Sequence, residues 1–470
     1  VENKLTTLRS EIEDNLSRSG HSLASFAKIS GLNRGSLSAI LHGNPPKPVS
    51  LGQLDTLTEA LGYPEGWFYP LYVEECFSEE KVSRRRAEPF LIRCAITGRK
   101  QCVDETINRM MEYQKPLDII YSVAEKLFAC GKIQESKPFY KIIVEHEQDS
   151  YSERMAISQY RIFKALGTVA DMEDMLRAVI AFEPFRGRLP EHLQLEGLLK
   201  LANVCFSLHR WCDMEKYADE LRGLASGIYR EQLRKKAGRR SEGLQLLRPL
   251  VLYYAQGHLM KATSLAKQGK YGEAITFTDM YADLSWFEML DEEGLRLVDA
   301  FKSFAVGNRY TLELLKGNSA VLPEYIAYLA DYPAEVLAGL VSILEAANRF
   351  GFSVDHVLER FSREMAGFDR FKDYINIDRI YRLGYQLAVY YLERGQAQLG
   401  VNSILQCLKT AVQLNSARDM IECVALFEAN RGQATGEQLQ KYTELIQGLV
   451  PKKDSAEEGR PLSGVTERSF

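Results

Sequence analysis

Residues Ser22–Gly43, SLASFAKISGLNRGSLSAILHG, set the reading of the whole chain. The apolar positions are Phe26, Ala27, Leu32, Leu37 and Ile40, and Gly31 parts them into two groups. This spacing predicts two short helices around a tight turn. Ala27 is small enough for a second helix to cross the first closely. Gly31 supplies the positive φ that strains a residue with a Cβ. Leu37 and Ile40 lie three apart and bury one face of the second helix. Asn33 suits the N-cap of that helix, because its side chain accepts an orphan backbone N–H. The opposite face carries Arg34, Gly35, Ser36, Ser38 and Ala39. Small and polar residues of this kind are what a helix lying in a DNA major groove requires. The pattern reads as a helix-turn-helix.

An ordinary helical hairpin shares this spacing, so the flanks matter. Lys4–Ser19 predicts a preceding amphipathic helix through Leu5, Leu8, Ile12 and Leu16. Leu51–Leu61 predicts a following one through Leu54, Leu57 and Leu61. With these flanks the segment resembles the Xre, or phage-repressor-like, helix-turn-helix domain. Ala60–Tyr69, ALGYPEGWFY, resembles the close of that domain. Members often carry Gln at the first position of the second domain helix, where it anchors a phosphate and orients a base contact. Leu23 stands there in this chain, which leaves Ser22 as the candidate anchor. Arg34, Ser36 and Ser38 are the expected base contacts, with Asn33 capping the helix and also a candidate for DNA contact. Ser22 and Lys47 are the expected phosphate contacts.

Charge supports the assignment locally. The 470 residues hold 59 Lys+Arg against 63 Asp+Glu, a net charge of −4, so no global basic signature exists. From Asn15 to Leu54, however, there is no Asp or Glu, while Arg18, Lys28, Arg34, Lys47, His21 and His42 are present. Four full charges promise modest affinity per monomer, which favours a homodimer on a two-half-site operator. Pro45, Pro46 and Pro48 exclude a regular helix from the loop that carries Lys47. The aromatic stretch Tyr63–Tyr72 is expected to cap the small domain's core; docking on the next domain is the alternative.

The predicted organisation is a DNA module over 1–75, a linker over 76–88, a helical array over 89–450 and a polar tail over 451–470. Arg84, Arg85 and Arg86 are read as a solvated helix start, and the basic run Arg230–Arg240 as an exposed loop or helix end. The fold class is all-α. In the array, Leu117–His146, Leu259–Leu284 and Tyr381–Val412 share one plan. A small residue (Ala124, Ala262, Ala388) precedes a turn glycine (Gly131, Gly269, Gly395) by seven, and another (Ser136, Ala274, Gly400) follows it by five. These units, and Leu198–Ala225, resemble the tetratricopeptide repeat, which implies about nine helix pairs in a right-handed superhelix with a concave inner wall. The likeness is weak between Ser285 and Asp373. Carrying over that repeat's inward positions gives Asp118, Tyr121 and Glu125; Glu196, Asn203 and Ser207; Gln256, Thr263 and Lys267; and Arg382 and Tyr385. Asn203 interrupts an apolar helix, where an amide needs partners. It either grips a peptide backbone or bonds a neighbouring helix.

An Xre-like domain followed by such an array resembles the cytoplasmic peptide-pheromone receptors of Gram-positive bacteria, the Rap–NprR–PlcR–PrgX–Rgg group, with the arbitrium receptors of phages. That resemblance implies a dimer, a short signalling peptide in the concave groove, often clamped by Asn side chains, and control of DNA binding by the peptide (quorum sensing). The other reading is a scaffold in which the array grips a protein partner, such as a response regulator, and DNA binding localises it. An enzyme is not expected. The chain has no GxGxxG, P-loop, HExxH or GxSxG in its proper setting. The eight cysteines form no CxxC or Cys/His cluster, so no metal or other cofactor is expected and most thiols are read as reduced and buried. Without a signal-like segment or an 18-residue apolar run, the expected location is the cytoplasm, with no membrane contact.

Overall fold

The computed structural model describes residues 7–78, 81–167, 172–237, 245–288, 290–414 and 416–449. The expected tail, 451–470, and the end of the basic run, 238–240, lie outside them. The described chain divides into two compact units, one of residues 7–167 and 174–197, the other of 172–173 and 198–449. Both are helical.

The first unit opens with α1 (Leu8–Arg18), α2 (Leu23–Ser30), α3 (Arg34–His42), α4 (Leu51–Ala60) and α5 (Tyr69–Tyr72). Local chemistry sets each boundary. The hydroxyls of Thr7, Ser22 and Ser50 accept a backbone N–H three residues on, and Thr7 and Ser50 complete capping boxes with Ser10 and Gln53. α2 ends on Gly31 at φ 70°. A two-residue hairpin pair, β1 (Phe77–Ser78) and β2 (Lys81–Val82), follows, with Phe77 opposite Val82. Then come α6 (Arg84–Ile96), α7 (Lys100–Met110), α8 (Pro116–Ala129), α9 (Ile133–His146), α10 (Glu153–Lys164), α11 (Met172–Phe182) and the start of α12 (Glu191–Ser207).

The stretch expected to be a linker, 76–88, is built into this unit. It holds the hairpin and the first turn of α6, and Cys76, Ala87 and Glu88 are buried. A single core runs from Leu8, Phe26 and Leu37 through Tyr69, Tyr72 and Phe90 to Ile120, Phe139 and Ile143. The aromatic stretch therefore does more than cap a small domain: the rings of Tyr69 and Tyr72 pack on Phe90 of α6, with centroids 5.4 and 5.1 Å apart. Arg84 meets Glu88 at 2.8 Å, and Lys126 of α8 meets the same carboxylate. Glu88 is drawn below its ordinary carboxylate range: burial acts upward, but its bonds to Lys126, Arg84 and Ser122 outweigh it.

The second unit holds α13 (Trp211–Ala237), α14 (Leu250–Lys267), α15 (Tyr271–Ala282), α16 (Glu292–Leu315), α17 (Leu322–Asp331), α18 (Val336–Phe350), α19 (Asp355–Arg360), α20 (Ser362–Ala366), α21 (Tyr374–Glu393), α22 (Ala397–Gln413), α23 (Ala417–Ala429) and α24 (Gly436–Leu449). Consecutive helices pack on one another: α13 on α14, α14 on α15, α15 on α16, and α21 on α22 on α23, as α8 packs on α9 in the first unit. This nearest-neighbour packing is what repeated small residues permit. Ala124, Ala274 and Ala388 are fully buried, and Ser136 and Ala262 nearly so. A Cβ on Gly400 would lie 2.6 Å from Leu392 Cγ and 3.3 Å from the Ala388 carbonyl oxygen. Gly400→Val is therefore expected to destabilise the second unit by about 1–3 kcal/mol through overpacking, read as a lower urea midpoint at unchanged slope.

No single helix among the described residues is long and apolar enough to cross a membrane. One helix pair, Ser319–Asp331 with Pro333–Phe350, is apolar enough over its combined length but is bent by 116°, and its Leu329, Leu340, Ile343 and Leu344 are wholly buried in the core.

One buried group makes this unit sensitive to pH. His258 of α14 lies beside Tyr254 (centroids 4.7 Å apart) and Phe277 (6.2 Å), near Arg222 and Asp219, and its Nδ1 has no hydrogen-bond partner. Burial, reinforced by the charge of Arg222, lowers its pKa to about 4 from an ordinary 6.5. Above pH 6.5 the imidazole is neutral in both states and its environment costs nothing. Between 6.5 and 4 the unfolded chain binds a proton that the folded chain refuses, so stability falls as pH falls. From pH 7 to 5 the wild type is expected to lose about 2 kcal/mol more than His258→Leu. Equal losses in thermal or urea unfolding would show that the imidazole is not held neutral.

Candidate functional site

The face built by α2 and α3 follows from their sequence. Phe26, Leu37 and Ile40 are fully buried and Ala27 nearly so, which turns the other side of α3 outward. Arg34 and Gly35 are exposed, and Ser36, Ser38 and Ala39 are half-buried. Asn33 is the N-cap: its Oδ1 accepts from the N–H groups of Gly35 (2.8 Å) and Ser36 (3.3 Å). Ser22 is exposed, and its hydroxyl caps α2 by accepting from Ser25 N at 3.1 Å. Lys47 is exposed on the proline loop. Arg18, Lys28, Arg34 and Lys47 are all exposed, and none makes an ion pair among the described residues. At the edge of this face Glu13 meets His42 at 3.1 Å.

The loop that carries Lys47 is fastened by residues outside the Ser22–Gly43 motif. Arg9 of α1 donates from Nε to the Ile40 carbonyl (2.9 Å) and from Nη2 to the Lys47 carbonyl (3.1 Å). Its guanidinium also pairs with the buried Glu75 at 2.5 Å. Glu75 Oε2 accepts from Val49 N at 3.0 Å, Tyr72 Oη donates to the Val49 carbonyl at 3.0 Å, and Lys47 N donates to the Ala39 carbonyl at 2.9 Å. Arg86 of α6 donates to the Glu75 carbonyl. Glu75 thus ties the end of α3, the loop and the first array helix together. Gly43 is required at the exit of α3, where a Cβ would sit 2.4 Å from the Ala39 carbonyl oxygen.

The residues expected on an inner wall fall in both units. In the first, Tyr121 packs edge-on to Tyr140 (6.4 Å). Glu125 takes both arms of Arg161 at 3.1 Å and the Tyr140 hydroxyl at 2.5 Å. Asp118 pairs with Arg154 at 2.6 Å, and Glu196 is buried. These carboxylates are already engaged. In the second unit Asn203 is exposed, and its amide makes no hydrogen bond among the described residues, so neither burial nor a neighbouring helix accounts for it. Ser207 and Thr263 bond back to their own helices, to Asn203 O (3.4 Å) and Leu259 O (2.9 Å). Gln256 is half-buried, and half-buried Tyr385 lies beside Tyr381, with centroids 6.3 Å apart.

Within the second unit the fold brings two expected residues together, Lys267 at the end of α14 and Arg382 of α21, which lie in each other's electrostatic field. Three residues outside the expected set join them. Arg382 Nε donates to Asp378 Oδ2 at 2.8 Å, His209 lies 3.1 Å from Arg382 and 3.4 Å from Asp378, and Trp211 stacks on His209 at 5.3 Å. His209 was legible in principle, since it follows Ala202 by the same seven residues that separate Ala124 from Gly131. Asp378 had no such signal, lying 169 positions further on.

Among the described residues no group of three or more His, Cys, Asp or Glu stands together as a metal would need. Six of the eight cysteines are buried, while Cys130 and Cys212 are exposed. No protein-family model matches the chain, and no curated protein matches it. Among solved structures, the chain is similar to a "Circular tandem repeat protein with novel repeat topology and enhanced subunit contact surfaces", at 12% identity and a TM-score of 0.12, over 93% of this chain and 89% of that one.

Proposed function

We propose that this protein is a sequence-specific DNA-binding regulator whose tetratricopeptide-like array binds a short signalling peptide. The observation that carries the first half is the outward side of α3: Arg34 is exposed and makes no ion pair among the described residues, and the same holds for Arg18, Lys28 and Lys47. That is the footprint of a helix that places a few side chains on base edges and a few cations on phosphates. Arg34, Ser36 and Ser38 are assigned to bases. Lys47 is assigned to a phosphate; the hydroxyl of Ser22 caps α2 and accepts the same role only through its remaining lone pair or proton. The peptide half rests on exposed, unbonded Asn203, which offers one donor and one acceptor to a peptide backbone. Two such readers in a homodimer gain affinity from being linked, and a peptide that moves them out of register removes that gain.

The scaffold reading has one observation in its favour. Phe304, Tyr332 and Pro333 line an open cleft of about 340 Å³ between α16 and the end of α17, and Phe304, Val306 and Tyr332 are exposed. Exposed apolar surface of this kind suits a protein partner.

Selection of genomic DNA fragments by the purified full chain, with and without the short peptides encoded beside its gene, tests the proposal. The expected product is an inverted repeat with half-site centres about one helical turn apart, whose recovery one peptide changes. Recovery of random sequence overturns the DNA assignment. A fixed operator indifferent to every peptide, with a protein retained on the array, moves the assignment to the scaffold.

A further inference from the structure

Gly307 of α16 decides how α17 meets that helix. A Cβ there would lie 2.7 Å from Cε1 and Oη of Tyr328, so a glycine is what lets this ring lie against α16. Tyr328 Oη donates to the Ser303 carbonyl at 3.1 Å, and the hydroxyls of Ser303 and Tyr332 stand 3.4 Å apart. Tyr332 stacks on Tyr328, with centroids 4.7 Å apart and ring planes 28° from parallel. Phe304 is set edge-on to Phe301 at 6.0 Å. Each ring is thus held by a neighbour. Tyr328 is buried, whereas Tyr332 and Phe304 stay 43% and 39% exposed. All three line the cleft of about 340 Å³ between α16 and the end of α17.

Asp331 and Glu335 line the same cleft, and no Lys, Arg or His does. Asp331 is exposed and Glu335 half-buried, and neither carboxylate makes an ion pair or a side-chain hydrogen bond among the described residues. Glu335 is close enough to act on the rings: burial, and after it the charge of Glu335, push the Tyr328 phenol up. Lys302, the cation nearest in sequence on α16, lies in the field of Asp283. The cleft therefore gathers aromatic rings and two negative charges with no positive charge along its walls. Aromatic faces and carboxylates both attract a cation.

We propose that this cleft receives the guanidinium of an arginine carried by a partner polypeptide, stacked on the exposed rings of Tyr332 and Phe304 and bonded to Asp331 or Glu335. A guanidinium is planar and weakly hydrated, so it lies on a ring while its fork meets a carboxylate; the compact ammonium of lysine keeps its water in so open a cleft. Free arginine would bring a carboxylate that meets only Asp331 and Glu335, whereas an arginine within a chain brings none. The cleft shares no residue with α3 or with the expected inner wall, so the proposal goes beyond the DNA and peptide readings. The test selects a displayed random-peptide library on the full chain, with soluble Tyr332→Ala protein as competitor so that only sequences requiring the cleft are retained. If Tyr332→Ala melts below the wild type, the double variant Asp331→Asn, Glu335→Gln replaces it; neither of those carboxylates is partnered, so that variant is expected to melt as the wild type does. The expected sequences share one arginine. A synthetic copy should bind roughly tenfold or more weakly when citrulline, the uncharged isostere, replaces that arginine, and equally so when the double variant replaces the wild type. Recovered sequences that are apolar, share no arginine and ignore the double substitution overturn the cation site. Equal acceptance of lysine overturns the guanidinium assignment, and absence of any cleft-dependent sequence overturns the site altogether.

Discussion

Replacing Arg34 by Ala is expected to weaken binding to a selected operator by roughly 10- to 100-fold per half-site, the effect of losing one bidentate base contact of about 1–3 kcal/mol. The melting temperature should not move. Arg34 is the first residue of α3, is exposed, and makes no ion pair among the described residues, so its removal breaks nothing within the fold. The cap that starts the helix belongs to Asn33 and survives the change. A base contact and a phosphate contact are told apart by salt and sequence. Loss of a base contact relaxes preference at one operator position, whereas loss of a phosphate contact weakens all sequences alike and lowers the salt slope by about one. Lys47→Ala is the natural comparison for the second behaviour. An Arg34→Ala protein that binds its operator as the wild type does removes the reading of α3 as the base-reading helix.

The second large effect is expected at Glu75. Glu75→Ala should destabilise the first unit by about 3 kcal/mol and impair DNA binding along with it. The carboxylate is buried and takes the Arg9 guanidinium and Val49 N–H together, so its loss leaves a part-buried cation and a buried donor unsatisfied. Arg9 also holds the carbonyls of Ile40 and Lys47, so releasing it loosens the end of α3 and the loop that presents Lys47. Most of this cost is that of the orphaned charge and not the net worth of the pair. The double variant Arg9→Met, Glu75→Met should therefore recover part of the loss. If Glu75→Ala unfolds at the wild-type urea midpoint, the clasp contributes nothing and the loop is held by Tyr72 and the Ala39 carbonyl alone.

The clasp bears on how the α2–α3 pair is joined to the helices that follow it. A flexible linker over 76–88 would make the first seventy residues a tethered head. The continuous core from Leu8 to Ile143, the packing of Tyr69 and Tyr72 on Phe90, and the Arg86–Glu75 contact make them part of one body with α6–α9. Under the proposed function, a ligand that alters DNA binding is expected to act on the first unit as a whole, because the α2–α3 pair shares its core.

What the sequence determined by itself is local. The caps at Ser22, Asn33 and Ser50, the left-handed turn at Gly31, the i, i+3 pairing of Leu37 with Ile40, and the seven-and-five spacing of small residues around Gly131, Gly269 and Gly395 each involve groups within about two turns of chain. Backbone geometry alone dictates what such neighbours can do, so the helices and their repeated pairing were readable as an all-α array. Helices α16, α17 and α18 carry no such spacing, and there only packing, with Leu329, Leu340 and Ile343 wholly buried, decided which faces met. Tertiary structure alone decided the rest. Residues 76–88 look like a linker because they are polar and charged, and nothing in their order says that Ala87 will be buried or that Glu88 will meet Ser122 and Lys126 of α8. Glu75 finds Arg9 across 66 positions, and His209 finds Arg382 across 173. At those separations sequence spacing constrains no distance; the pairing exists because the packing of the helices brings these charges within reach of each other.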